Sequence, residues 1–329
     1  MKLLSLPYVI INELMTHLEP VELINLSFSS KRAYAFVKTY SKVEEELEIK
    51  SINSWQYSLR FREQLLIAVI SEEDMAIMNQ NPKHNSCFKL WATSHGHVCA
   101  ASDIVMGCKE SANHICDLFK IPVSIVISFN EENIWLPDFI QQRQKEKLKK
   151  IRIYHDIASK ISAVDYTKIL SFNGVEFLNL VSIPPKDYRF YGKLAPFKRI
   201  FINDGIWITL KNVLKLESEY VELYHTFLTS SDITALLKSW LKGGLSKLKY
   251  LVLEGVGIND TIYDSVHNKL ERVKEKIAYG WDNARVEVEV EFNTDAFHIR
   301  REDDVVAAIK IEEDSFVMAV WPDVNGKRV

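Results

Sequence analysis

Leu6-Pro7-Tyr8-Val9-Ile10-Ile11-Asn12-Glu13-Leu14-Met15-Thr16-His17-Leu18-Glu19-Pro20, continued by Val21-Glu22-Leu23-Ile24-Asn25-Leu26-Ser27-Phe28-Ser29-Ser30-Lys31-Arg32, decides how the chain begins to fold. Pro7 fits the first position of a helix, because its fixed φ is helical and its missing N–H is one the first turn leaves unpaired. Ile10, Ile11, Leu14 and Leu18 then draw an apolar stripe along about three turns, widened by Tyr8 and Met15. Pro20 ends that helix and opens a second, with Glu22 near the positive end of its dipole. The second helix carries Val21, Leu23, Ile24 and Leu26. Ser29 or Ser30 is placed to cap a third, in which Ala33, Phe36, Val37 and Tyr40 recur at i, i+3, i+4 and i+7. Three helices this short present more apolar surface than a bundle of about forty residues can bury by itself. The rest of the chain, or a partner, must cover the remainder.

The chain has 329 residues, 47% hydrophobic and 26% charged, with a formal net charge of -3. That composition buries a core in one long domain or two and excludes a disordered chain. The near-zero charge gives no overall field for nucleic acid or an acidic membrane. No uncharged apolar run approaches the roughly 20 residues that span a bilayer, which predicts a soluble protein. Lys2 followed by apolar residues resembles a secretory signal, but Pro7, Glu13 and the lack of a small-x-small site argue against one. Cys87, Cys99, Cys108 and Cys116 form no C-x-x-C pair. Four thiols in a chain with its own core fit a reducing compartment, the cytoplasm or nucleus.

Beyond Val43 the pattern changes to recurrent apolar runs: 47–50, 65–70, 122–127, 151–154, 175–180, 200–202, 220–223 and 248–253. Helical stretches fall between them. Ile233, Leu236, Leu237, Trp240 and Leu241 form one stripe, capped at Ser231-Asp232 and ended by Gly243-Gly244. Strands about 20–30 residues apart with helices between predict βα units, either a leucine-rich-repeat-like stack or an open parallel sheet. Near the end, Val286 to Phe292 alternates perfectly, with Glu287, Glu289 and Glu291 on one face. The turn signal Asn293-Thr294-Asp295 predicts a hairpin with 297–300, acidic row against basic row. Val305 to Ile311 and Phe316 to Trp321 add two further antiparallel strands.

The order Leu6-Pro7, Leu14, Leu18, Pro20, Leu23, Leu26, then Phe28-Ser29-Ser30-Lys31-Arg32 before Phe36-Val37, resembles an F-box, most closely the nematode type with its Leu-Ser-Phe-x-Ser-Lys-Arg run. Tyr34 and Phe36 flank the place where many F-boxes carry Trp. The resemblance implies a docking module for the Skp-type adaptor, and through it a cullin, of an SCF ubiquitin ligase. It implies adaptor contacts at Leu6, Pro7, Ile10, Leu14, Pro20, Leu23, Leu26, Lys31 and Arg32. Each fully buried Leu or Ile contributes about 1.5–3 kcal/mol, so half a dozen sustain an interface after the cost of association.

Thr229-Ser230-Ser231-Asp232-Ile233, Leu237 to Gly244, Leu248-Lys249-Tyr250-Leu251 and the strand Phe316 to Pro322 are similar to the F-box-associated domain of type 2. That resemblance implies a region that holds a target protein for ubiquitination. The expected organisation is a mixed α+β and α/β chain: an F-box bundle over 1–42, a strand-and-helix region over 43–170, and the associated domain with antiparallel C-terminal strands over 171–329.

Other constellations weigh less. His95, His97 and His114 with the four cysteines offer zinc-type donors, but at no zinc spacing. Residues 143–152 hold six cations without interleaved aromatics, and a solvated helix face or linker is preferred over a phosphate contact. Gly255-Val256-Gly257-Ile258-Asn259-Asp260 places Asp260 where a dinucleotide fingerprint needs a small residue, so it reads as a strand-to-helix turn. Glu44-Glu45-Glu46 reads as solvated surface. No catalytic motif, cofactor, metal, nucleic-acid or membrane site is expected. The function expected is recruitment of a target protein to a cullin ligase, with an F-box scaffold that sequesters its adaptor as the alternative.

Overall fold

The computed structural model describes residues 7–53, 56–61, 64–71, 83–85, 88–93, 96–128, 135–154, 161–255, 257–264, 266–283 and 286–321. The chain divides into two compact units, Met1–Ser159 and Lys160–Val329. The expected boundaries fell at 42 and 170; the N-terminal helices share the first unit with the strands that follow them.

The first unit opens with α1 (Tyr8–His17), α2 (Pro20–Ser29) and α3 (Lys31–Tyr40). Pro7 is the N-cap of α1 rather than its first residue, and its carbonyl accepts the first helical bond, from Ile11 N at 3.0 Å. Pro20 does stand at the start of α2, where Glu19 and Glu22 form a capping box. Ser30 caps α3, accepting from Ala33 N at 3.1 Å.

Strands β1 (Leu47–Asn53), β2 (Gln56–Phe61), β3 (Gln64–Ser71), β4 (Lys83–Asn85), β5 (Phe88–Thr93), β6 (Gly96–Ala101), β7 (Val123–Ser128) and β8 (Leu148–Tyr154) follow. They lie in the order β8-β7-β1-β2-β3-β6-β5-β4. The pairs β8/β7, β7/β1 and β3/β6 are parallel and the others antiparallel. Helix α4 (Ile104–Phe119) packs on β2, β3, β6 and α3. A Cβ at Gly107 would meet the Ala101 Cβ at 2.6 Å, so the approach of α4 to β6 requires glycine there. Helix α5 (Trp135–Arg143) precedes β8, and the Gln144 amide brackets the start of β7, accepting from Val123 N and donating to Val123 O at 2.9 Å each.

The basic run departs from expectation. Arg143 ends α5, and residues 148–152 belong to β8, with Leu148, Ile151 and Ile153 buried. The apolar side chains of the run, not its charges, set its conformation. Arg143 pairs with Asp117 at 2.8 Å, Lys149 with Glu46, and the Arg152 guanidinium lies 4.6 Å over the Tyr154 ring.

In the second unit, α6 (Ala163–Leu170) is followed by β9 (Val175–Val181), β10 (Arg199–Ile202), α7 (Leu210–Val213), β11 (Tyr220–Leu223), α8 (Ser230–Leu241) and β12 (Tyr250–Glu254). The four strands are parallel and adjacent in chain order, as the βα spacing predicts. One face of them, Leu178, Leu180, Ile200, Ile202, Val221, Leu223, Leu251 and Leu253, is completely buried. The other alternates apolar with polar: Phe177, Arg199, Tyr220 and Tyr250 share one row, Asn179, Phe201, Glu222 and Val252 the next. Thr229 is the N-cap of α8 and forms a capping box with Asp232, two residues earlier than the expected cap at Ser231. Gly255 follows β12 where a Cβ would meet Leu228 O at 2.2 Å, and Gly257 has φ +67, a tight turn into α9 (Thr261–Asp264).

The remaining strands are β13 (Leu270–Arg272), β14 (Ile277–Asn283), β15 (Val286–Phe292), β16 (Phe297–Arg300), β17 (Val306–Glu312) and β18 (Ser315–Trp321). The sheet continues antiparallel from β12 through β18, β17 and β16 to β13. The expected hairpin between β15 and β16 does not form. β15 pairs instead with β14 as a separate two-stranded ribbon, Glu287 standing across from Asp282 and Glu291 from Ala278. Only residues 284 and 285 separate β14 from β15, so this local pairing closes a shorter loop, and β16 is left to pair with β13 and β17. Phe292 and Ala296, on either side of the Asn293 turn, are buried with Val273, Val252 and Val317. Among the described residues no helix is long and apolar enough to cross a membrane.

Candidate docking surface

The helix trio divides its apolar residues between an inside and an outside. Ile11 and Met15 of α1, Leu23, Ile24 and Ser27 of α2, and Ala33, Phe36 and Val37 of α3 are buried. Helix α3 is the one that touches both of the others, and it packs on α4 as well. On the outside, Tyr8 is 63% exposed, Val9 76% and Ile10 51%. Pro7 is exposed, while Leu14, Leu18, Pro20 and Leu26 are half-buried. Pro7, Ile10 and Leu14 recur at i, i+3 and i+7, one face of α1. Tyr8 leans on Tyr40 with ring centroids 5.8 Å apart, tying the start of α1 to the end of α3.

The trio's inner side is anchored on α4 through one histidine. Ser27 Oγ lies 3.0 Å from His114 Nε2, Phe28 stacks on the imidazole at 4.3 Å, and Tyr34 sits 5.3 Å from it. Burial, opposed only by the nearby Asp117 carboxylate, lowers the His114 pKa to about 4, so the ring is neutral in the folded protein at neutral pH. His114 was a zinc-donor candidate; here it is a packing residue. The described cysteines are no closer to a site. Cys99, Cys108 and Cys116 are free and buried, and burial pushes the Cys99 thiol up to about 12 and Cys116 to about 11, away from the thiolate a metal needs. Cys87 and His95 lie outside the described residues. Among the described residues no group of three or more metal-type donors gathers.

The residues expected at the adaptor contact thus fall in four places. Pro7 and Ile10 are on the surface; Leu14, Pro20 and Leu26 are at its edge; Leu23 is 1% exposed and lies in the trio's core; Leu6 lies outside the described residues. Lys31 and Arg32 are exposed in the first turn of α3, which carries no acidic residue. Cations there oppose the helix dipole, at a cost of about 0.3–1 kcal/mol each, so local helix stability does not account for them. Val9, the most exposed apolar residue of the strip, is missed by the motif; its position one turn before Glu13 on the outer face is the signal that could have found it.

Comparison with protein-family models matches residues 3–44 to the F-box domain and residues 194–253 to the family described as F-box associated. The first match covers α1 to α3, and the second covers β10, α7, β11, α8 and most of β12. The chain therefore combines an F-box with an F-box-associated segment, as the motifs imply. No curated protein and no solved structure gives a significant match.

Proposed function

We propose that this protein is the target-recruiting subunit of an SCF-type ubiquitin ligase, docked on a Skp-type adaptor through the outer face of its N-terminal helices. The exposed strip of Pro7, Tyr8, Val9 and Ile10, lying inside the F-box match, is the observation that carries this reading. Leu14, Pro20 and Leu26 extend the strip, Lys31 and Arg32 add charge, and Leu23 supports it from beneath. A cullin joins through the adaptor, and the second unit holds the target protein.

In this reading no residue of the chain performs chemistry. Holding a target beside a charged conjugating enzyme raises the effective concentration of its lysines, and that is the whole of the mechanism. Three free, buried cysteines among the described residues support work in a reducing compartment, the cytoplasm or nucleus.

The test is capture of purified Skp-type adaptor by the full chain and by Val9→Asp combined with Ile10→Asp. Both side chains are more than half exposed, so folding stability should hold within about 0.5 kcal/mol. Adaptor affinity should fall at least about thirtyfold, the loss of one interface hot spot. Undiminished capture by the folded variant sinks the docking assignment. Capture of adaptor with no cullin in the complex would favour the sequestering scaffold.

A further inference from the structure

The second unit contains a cavity of about 710 Å3 to which neither the sequence motifs nor the family matches assign a role. It lies between the mixed face of the sheet and the β14–β15 ribbon. Tyr224 and Tyr250 form aromatic wall on the sheet side, Glu291 comes from the ribbon, Lys310 and Glu312 from β17, and Glu313 from the turn after it.

Three carboxylates, of Glu291, Glu312 and Glu313, and one ammonium, of Lys310, line the cavity. Lys310 is 7% exposed and already engaged, donating to Glu291 O at 2.7 Å and pairing with Glu312. Lys276 pairs with Glu291, and Arg199 with Glu222 at 3.0 Å beside Tyr224. Of the carboxylates lining the cavity, Glu313, which is exposed, has no Lys or Arg partner among the described residues. Glu313 also holds a left-handed backbone, φ +51, that a non-glycine residue rarely adopts. Burial first, then the Glu222 and Glu254 carboxylates, pushes the Tyr224 phenol up to about 12, so the wall stays neutral and its environment resists further negative charge.

The same face shows how a guanidinium is held on it. Arg199 lies over the Phe177 ring at 4.8 Å while donating to Glu222. A planar cation stacked on an aromatic ring and forked onto a carboxylate is an arrangement arginine makes and lysine does not. Tyr224 and Glu313 bring an aromatic ring and a carboxylate to one cavity, the Tyr224 ring also packing on Phe201 with centroids 5.4 Å apart.

We infer that the cavity receives an arginine side chain of the target protein, the guanidinium stacked on the tyrosine wall and facing the Glu313 carboxylate. This rests on the recruiting function proposed above for the identity of the visitor, but its chemistry is tested independently. The full chain is titrated with a fluorescent Ala-Ala-Arg-Ala-Ala peptide, its citrulline counterpart, which keeps the shape and loses the charge, and a glutamate counterpart.

Arginine should bind about tenfold or more tighter than citrulline, the worth of one charge-assisted contact, and weaken as salt rises. Glutamate should not bind. Glu313→Gln, at an exposed position, should remove most of the preference, and Tyr224→Leu should weaken both neutral and charged peptides. Equal binding of arginine and citrulline, no binding of either, or a preference untouched by Glu313→Gln overturns the inference. The adaptor plays no part in this titration. A chain that prefers arginine but fails to capture adaptor would refute the recruiting function and leave the cavity assignment standing; the reverse result would do the opposite.

Discussion

Helices α1 and α8 carry nearly the same apolar periodicity and meet opposite fates. In α8, Ile233, Leu236, Leu237, Trp240 and Leu241 are all buried, Trp240 completely. In α1, Ile11 and Met15 are buried while Tyr8, Val9 and Ile10 face solvent. The stripe on α8 is one-sided and Leu-rich, wide enough for one covering surface; the apolar residues of α1 run consecutively from Tyr8 to Ile11 and so reach round both sides of the helix. A covered face holds the fold together, and an uncovered one is free to hold a partner. Spacing reports that a helix has an apolar face, whereas the width of that face reports whether one neighbour suffices to cover it.

Stability separates the two helices most sharply. Trp240→Ala removes a fully buried ring with an Arg301 guanidinium 5.2 Å over it, and should cost about 3–5 kcal/mol in denaturant unfolding. Val9→Ala should cost no more than about 0.5 kcal/mol. Comparable losses at both positions would erase the distinction.

The second effect concerns the histidine beneath the trio. His114 titrates near 4 when folded and at an ordinary value near 6.5 when unfolded, so between those values the unfolded chain binds more protons. Its contribution is therefore complete above about pH 6.5, declines as pH falls, and is spent near 4. The loss should reach about 1–2 kcal/mol, since the ring is only partly shielded from water. Thermal unfolding of the wild type should lose more stability from pH 7 to pH 4.5 than that of His114→Gln. Parallel pH profiles would show that the ring carries no such burden.

The starts of α2 and α3 were legible, whereas those of α1 and α8 were each read in the wrong place, at Pro7 and at Ser231. Pro20 and Ser30 sit where their chemistry requires, and Ser30→Ala should cost about 1 kcal/mol by circular-dichroism melting, as the loss of an N-cap bond does. The parallel strands from 175 to 254 were equally readable, because each is a short apolar run set between helix signals. The ribbon β14–β15 was not. Ile277-Ala278-Tyr279-Gly280-Trp281-Asp282-Asn283 does not alternate cleanly, and the clear alternation of 286–292 says nothing about which neighbour it pairs with. Strand β2 was written in Tyr57, Leu59 and Phe61, three apolar residues in too short a span to stand out from a loop. On the docking surface, residue types and spacing identified the strip, but periodicity alone did not separate the buried Leu23 from the exposed Ile10. The cavity was illegible because its walls come from Tyr224, Tyr250, Glu291 and Glu313, brought together only by the pairing of distant strands.

The smallest effect has the most telling sign. Lys31 and Arg32 crowd the positive end of α3, so Lys31→Glu with Arg32→Glu replaces two unfavourable charges with two favourable ones. For a helix serving only its own fold the double variant should be more stable, by about 0.3–1 kcal/mol per site at low salt, and the gain should shrink as salt screens it. For a helix serving a partner the same change should weaken adaptor binding. Stability rising while affinity falls means that the basic pair is kept for an interface at the expense of the helix it begins. Should the variant gain stability and lose no affinity, the pair has no role in docking, and the contact must be carried by the apolar residues of α1 and α2.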